Sequence, residues 1–390
     1  MNTRSAIHQL NFLHILNDGF TASLPLLLPF ISKDLSLSLT QVGLLGSILS
    51  ILNIFLALPA GYIAVKYGGL RTLVTAVLLY ALGFIGTSFS FSFLTLASLF
   101  LLAGIGFGVF HSVAFALIAR LSESKGKGRV IGDFTAIGDV GRIGLSTGLT
   151  FLVAFIGWKI TALTYGLSAL AIFFYFLLIV LPKFKNTRVE RKVQGKVRLK
   201  DYLHNPRFIL VNCSGFLDAL SNYAIFIFLP FLFLEKGIAT TQLGFFTAVY
   251  FIGSFAGKTT LGRLTDKVNK VLVFVVSEIV MAVLFFSLGG SFPFFVLLVL
   301  AAILGFFTSG TVPINKILVA ESVEHHNDYE QAFGINTIIQ GFAITISPFM
   351  LGFVSDHYGI ENAFRVSAVV ALLATIPAIT SRFVAAQSVQ

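Results

Sequence analysis

Cysteine occurs once, at Cys213. That excludes an intramolecular disulfide, and no Cys/His spacing resembles a metal framework. Charge is scarce too: Asp, Glu, Lys and Arg make up 11% of the chain, against roughly a quarter in soluble domains. With 56% hydrophobic residues beside it, so little polar surface excludes a water-soluble globule. Residues 72 to 119, 160 to 182, 237 to 257 and 279 to 315 contain no Asp, Glu, Lys or Arg. Each stretch is long enough for one or two membrane helices of about 20 residues. Their continuous apolar character favours helices over a β-barrel. The first apolar run is expected to remain as a helix rather than be cleaved as a signal, since it is long, carries Asp18 and lacks a small-x-small site.

Against that apolar background the stretch His14-Ile15-Leu16-Asn17-Asp18 stands out, because it places polar groups about ten residues into a spanning helix. At 1.5 Å per residue that is roughly 15 Å deep. An ionisable group at mid-bilayer is costly and by default functional.

Hydropathy predicts twelve spans at roughly 8–31, 41–65, 72–89, 92–119, 130–155, 159–182, 208–234, 241–264, 271–290, 293–320, 331–354 and 361–381. Of 27 Lys and Arg, alternate loops then place 20 on one side and four on the other, with Arg142, Lys258 and Lys316 inside helices. The positive-inside rule puts both termini in the cytoplasm. The +10 charge is therefore topogenic, and no nucleic-acid partner is expected.

Shifted by 201 positions the chain aligns with itself: Leu28-Pro29-Phe30 with Leu229-Pro230-Phe231, Thr40-Gln41-Val42-Gly43 with Thr241-Gln242-Leu243-Gly244, Gly61 with Gly262, Lys66 with Lys267, and Gly104 with Gly305. One residue further, Gly157 meets Gly359. The expected organisation is an N-terminal six-helix bundle over 1–182, a basic cytoplasmic connection over 183–207, and a C-terminal bundle over 208–390. Six spans per copy give the copies the same orientation.

Twelve spans, a 6 + 6 repeat and a basic central loop resemble the major facilitator superfamily over the whole chain. Its loop signature Gly-x-x-x-Asp-Arg/Lys-x-Gly is matched in part by Gly61, Lys66 and Gly68, with Val65 in the place of Asp. The second half keeps the acid, with Gly262, Asp266 and Lys267, and Gly352 to Gly359, including Asp356, is similar to the family's ending of the eleventh helix. The resemblance implies an all-α integral membrane fold of two six-helix bundles, and a cytoplasmic gate from Gly61, Lys66, Gly262, Asp266, Lys267 and Asp356. Within the superfamily, His14-x-x-Asn17-Asp18 and Val109-Phe110-His111 resemble the fosmidomycin-resistance exporters. The usual Arg of the fourth helix is absent near Phe100, and the antiporter signature of the fifth survives only as Gly144 and Gly148.

The residues themselves suggest a transport site. The repeat sets Asn17 opposite Asp218, with Asn222 one turn on, so carboxylates at matching depths in both halves are expected to line a shared central cavity. Asp18 and Asp218 then either carry a proton or only hydrogen-bond between helices. His14 either shares the proton of Asp18 or fixes its geometry. Asp139 and Arg142, three apart in the fifth helix, face the same side. They form a neutral structural pair, or Arg142 binds an anionic solute that Asp139 helps release. Lys258 either reaches toward that solute or snorkels; Lys316, nearer its helix end, is expected to snorkel. His111 is a solute ligand or an interhelical donor, and His325-His326 reads as a solvated loop rather than a metal site.

Gly253 to Thr259 is a near miss for a phosphate-binding loop within a spanning helix, and no nucleophile, base and orienter can be assembled. The chain is expected to be neither an enzyme nor dependent on a cofactor. The expected function is proton-coupled export of a small anionic or zwitterionic solute, a siderophore or other metabolite included, by a monomer in a bacterial inner membrane. Asp18 is the first candidate for coupling and Asp139 the second. Proton-coupled import of an organic anion is the alternative within transport, and a non-transporting receptor the alternative outside it.

Overall fold

The computed structural model describes residues 3–121, 127–184, 202, 204–323 and 329–384. Most of the basic 183–207 connection, and His325-His326, lie outside the described residues. What is described is almost entirely helical. The first half comprises α1 (Thr3–Ser23), α2 (Leu28–Asp34), α3 (Leu39–Tyr67), α4 (Gly69–Ser88), α5 (Phe93–Leu121) and α6 (Lys127–Tyr175). The second comprises α7 (Pro206–Asn222), α8 (Ile225–Glu235), α9 (Leu243–Leu264), α10 (Lys270–Ser287), α11 (Phe294–Ser322), α12 (Tyr329–Tyr358) and α13 (Ile360–Thr380).

Ten helical segments among the described residues are long and apolar enough to cross a membrane. One of them, 133–183, is broken at Gly157, whose φ of 74° lies in the left-handed region. It therefore makes two spans, and α9, with Lys258 and Arg263 in its 22 residues, completes the expected twelve. Gly359, the repeat partner of Gly157, has φ 88° and opens α13 in the same way. A left-handed residue at this point is cheap only for glycine, which is why the repeat keeps glycine at both turns.

The first span of each half departs from the single helix that hydropathy suggests. α1 passes into α2 through a 3₁₀ turn at Leu24–Leu27 that begins with Pro25 near its first position, and α7 gives way to α8 at Tyr223–Ala224. Proline inside membrane helices is tolerated where neighbouring helices satisfy the freed backbone groups. Polar caps set other boundaries. Asn205 accepts from the Phe208 amide at 3.0 Å ahead of α7, and Asn269 accepts from Leu272 at 3.1 Å ahead of α10.

The described residues group into two units. In the first, formed by 1–37, 48–192 and 239–248, α1 packs along α6, and α4 packs on α5 and α6. Its aromatic core sets Phe20 against Tyr80, Phe84 and Tyr165, with Phe107 stacked on Tyr80. The Trp158 indole donates to Asp34 at 2.7 Å, tying the end of α2 to the last part of α6. In the second unit, formed by 38–47, 193–238 and 249–390, α13 packs on α7 and α10, and α7 also on α11 and α12. Phe208, Phe274, Ile314 and Leu318 fill its centre.

The units cut across the repeat boundaries at two helix starts. Residues 38–47 of α3 pack within the second unit, where Ser47 donates to the Thr345 carbonyl at 2.6 Å. Residues 239–248 pack within the first, where Thr150 and Thr247 hydroxyls meet at 3.3 Å.

Candidate functional site

In the first unit, α1, α5 and α6 bring four of the expected site residues onto the carboxylate of a fifth, Asp18. Asp18 is only 3% exposed. Its Oδ1 lies 3.0 Å from Nε2 of His111 and 3.4 Å from Nε2 of His14, and accepts from Asn17 Nδ2 at 3.2 Å. Its Oδ2 accepts from Arg142 Nη2 at 2.8 Å, and Arg142 Nη1 donates to Asp139 Oδ1 at 3.1 Å. Arg142 thus bridges two acids, one of its own helix and one of α1. The pairing of Asp139 with Arg142 was expected from their spacing; the reach to Asp18 was not.

The local sequence explains the convergence. His14 and Asp18 are one turn apart and share a face of α1. α6 reaches that face through glycines: a Cβ at Gly138 would meet the Asp18 carboxylate and the His14 ring, and a Cβ at Gly141 would overlap the Ile15 carbonyl. Close approach of this kind is what small residues provide in membrane helices. His14 is held between Phe134, stacked at 4.3 Å, and Phe110 at 5.9 Å. Phe134 and Phe110 were not among the expected site residues, since nothing in hydropathy separates a ring that clamps a histidine from one that faces lipid.

Protonation is constrained by this geometry. His14 Nδ1 lies 2.7 Å from the Phe134 carbonyl oxygen. A carbonyl only accepts, so Nδ1 carries a hydrogen. The other nitrogen, Nε2, buried and without a hydrogen-bond partner, then points a lone pair toward Asp18 unless a proton lies on one of the two groups. The whole set is two acids, one fixed cation and two imidazoles. With both imidazoles neutral it has one negative charge in excess, and a single bound proton neutralises it. His14, Asp18 and His111 have the composition of a metal site, but the guanidinium on the same carboxylate opposes a divalent cation there. His111, 42% exposed in its side chain, and Arg142 are the members of the set that open to the outside of the cluster.

The other candidates belong to the second unit, except Gly61 and Lys66. Asp218 is enclosed among α7, α10 and α11 rather than lining an open surface. Its Oδ1 accepts from Asn222 at 2.6 Å and from Thr311 at 3.1 Å. Asn222 is thereby committed to Asp218. Beside it lies Glu278 of α10, which sequence reasoning passed over although it is the lone charge between Lys270 and Lys316. Lys258 is partly buried on α9. Lys316 does not snorkel as expected: it donates to Asn336, which belongs to a buried amide cluster with Asn212 and Asn315. Those amides accept and donate within the bundle, so the ammonium is better satisfied there than at the helix end.

The expected cytoplasmic gate is corrected at one residue. Lys66 and Gly61 stand near the C-terminal end of α3, and Gly262, Asp266 and Lys267 around the end of α9. Asp266 and Lys267 are exposed and form no ion pair among the described residues. Asp356, however, caps the opposite end of α3, accepting from the Leu39 and Thr40 amides at 2.8 and 2.7 Å. The free amides of a helix N-terminus attract a carboxylate, and that is the work Asp356 does.

Comparison with known proteins supplies the family. The sequence profile of the Major Facilitator Superfamily matches residues 10–215 and 211–387. A hexuronate transporter of Bacillus subtilis (strain 168) is 24% identical over 391 residues, covering 93% of this chain and 90% of that protein. Among solved structures, a bacterial homologue of the human lysosomal transporter Spinster superposes with a TM-score of 0.82 at 14% identity, covering 98% of this chain and 97% of that one. The nucleoside transporter NupG superposes with a TM-score of 0.78 at 14% identity, covering 96% and 99%. The chain belongs to the Major Facilitator Superfamily: it is a secondary transporter of small molecules in a membrane, and not an enzyme.

Proposed function

We propose that the protein couples protons to the movement of a small organic anion by alternating access, with Arg142 as the anion contact and Asp18 and Asp139 as the groups that exchange protons. The observation that carries this reading is that both terminal nitrogens of Arg142 are engaged by carboxylates. An anionic solute reaches the guanidinium only when an acid lets go, and protonation of Asp18 or Asp139 is what removes its charge. Proton and anion then bind together, which is the logic of symport. His14 and His111, both on Asp18 Oδ1, give the proton a path to and from the carboxylate. The likeness to a hexuronate transporter, whose named solute is an organic anion, agrees with this reading.

The geometry therefore favours proton-coupled uptake over the export expected from the sequence. Export keeps one specific support: His14, Asn17, Asp18 and His111, the residues that resemble the fosmidomycin-resistance exporters, converge on a single carboxylate. A zwitterionic solute whose ammonium replaced the proton on Asp18 would give antiport. Proteoliposomes separate the two. An inward-directed proton gradient is expected to drive accumulation of a labelled organic anion, abolished by a protonophore. Asp18→Asn is expected to keep solute counterflow but lose the response to the gradient. Accumulation only under the reversed gradient would favour antiport, and an unchanged gradient response in both Asp18→Asn and Asp139→Asn would end the coupling assignment.

A further inference from the structure

Among the described residues, the second unit contains a pair of acids with no side-chain cation paired to either. Asp218 on α7 and Glu278 on α10 lie against each other, and Glu278 is 0% exposed. Asn222 and Thr311 both donate to Oδ1 of Asp218. Neither carboxyl oxygen of Glu278 receives a hydrogen bond from the protein. Among the described residues, no Lys, Arg or His forms an ion pair with either acid.

Among the described residues, no other titratable group on the helices packed around the pair forms an ion pair or hydrogen bond with either acid; Tyr250 of α9 bonds Thr308 of α11 at 3.1 Å. On α11 the residues from Phe294 to Asn315 are uncharged; Lys316 binds Asn336, and Glu321 pairs with Lys270, the first residue of α10. α13 has titratable groups only at Glu361 and Arg365 in its first turns, where Glu361 pairs with Lys236. α12 has none between Gln331 and Ser355.

Two carboxylates against each other in so enclosed a place, with no side-chain cation paired to either among the described residues, cannot both be ionised. A proton held between them removes one of the two charges, turns one Glu278 oxygen into a donor, and gives Asp218 a further hydrogen bond.

We infer that Asp218 and Glu278 form a second proton-binding site, a carboxyl pair sharing one proton, with the Glu278 hydroxyl donating to Asp218 and with Asn222 and Thr311 fixing the acceptor. As a site of proton storage it stands independently of Asp18; its participation in the transport cycle rests on the proton coupling proposed above. The amide and hydroxyl donors both favour the ionised form of Asp218, which assigns the proton to Glu278.

Infrared spectroscopy of the full chain in lipid, through the carbonyl stretch of a protonated carboxyl, tests this directly. At neutral pH the wild type is expected to show that band, slow to shift in heavy water because the group is enclosed. Glu278→Gln is expected to lose it, Asp218→Asn to shift its frequency because the enclosed Glu278 stays protonated but loses its charged acceptor, and Asp18→Asn to leave it unchanged. Absence of such a band in the wild type would overturn the inference whether or not the variants fold, as would a band that survives Glu278→Gln or one that Asp218→Asn leaves unshifted. A band that appears only when sodium is replaced by choline would mean a sodium ion, not a proton, joins the acids, and would equally overturn it. In proteoliposomes Glu278→Gln is expected to lower the ratio of protons to solute moved. If transport proves independent of protons while the band behaves as expected, the coupling reading fails and the shared-proton site stands.

Discussion

Arg142 of α6 reaches Asp18 of α1 across 124 positions of sequence, Nη2 to Oδ2 at 2.8 Å, while its other nitrogen holds Asp139. One guanidinium thereby keeps two acids in the interior of a six-span unit, and any solute that needs this cation must displace one of them.

Replacing Arg142 therefore separates charge from geometry. Arg142→Gln leaves two acids without their fixed cation, and the loss of charge-assisted hydrogen bonds is expected to cost about 1.5–3 kcal/mol, read as a lower melting temperature in detergent. Solute affinity is expected to fall roughly ten- to hundredfold, the same energy expressed as binding. Arg142→Lys keeps the charge, but a point ammonium cannot span two carboxylates as a planar fork does. Stability is then expected to recover more than transport. Combining Arg142→Gln with Asp18→Asn and Asp139→Asn should restore the melting temperature without restoring transport.

Contact between α1 and α6 depends on the missing side chain at Gly141, where a Cβ would overlap the Ile15 carbonyl. Gly141→Val is expected to destabilise by about 1–3 kcal/mol through overpacking and to shift Asp18 away from Arg142. Gly144, with open space around its Cβ position, serves as the control. Gly144→Ala should melt within a degree or two of the wild type, roughly the scatter of a neutral substitution.

Asp356 holds the first amides of α3 from the last turn of α12. Asp356→Ala is expected to cost about 0.5–2 kcal/mol, the range for loss of a helix cap. Thermal melting at neutral pH measures it, and the difference from wild type should shrink at a pH low enough to protonate the carboxyl, since a neutral acid accepts from the two amides less strongly. Lys66→Ala, at the other end of α3, is expected to leave melting nearly unchanged, because Lys66 is exposed and its described contact is with the neighbouring Tyr67 ring.

Much of the architecture is written locally in the chain. Apolar runs mark the spans, the 201-residue offset marks the two halves, and glycine at 157 and 359 marks the turn in each copy. The same local rules single out Asp18, Asp139 and Arg142, because a charge inside an apolar run needs no partner to be conspicuous. Partnership is another matter. That Arg142 chooses Asp18, that Lys316 finds an amide cluster, that Asp356 serves the start of α3, and that Glu278 meets Asp218 all depend on which helices lie side by side. Periodicity along one helix tells which face a residue occupies, whereas a hydrogen bond of about 3 Å between distant segments exists only once packing has brought those faces together.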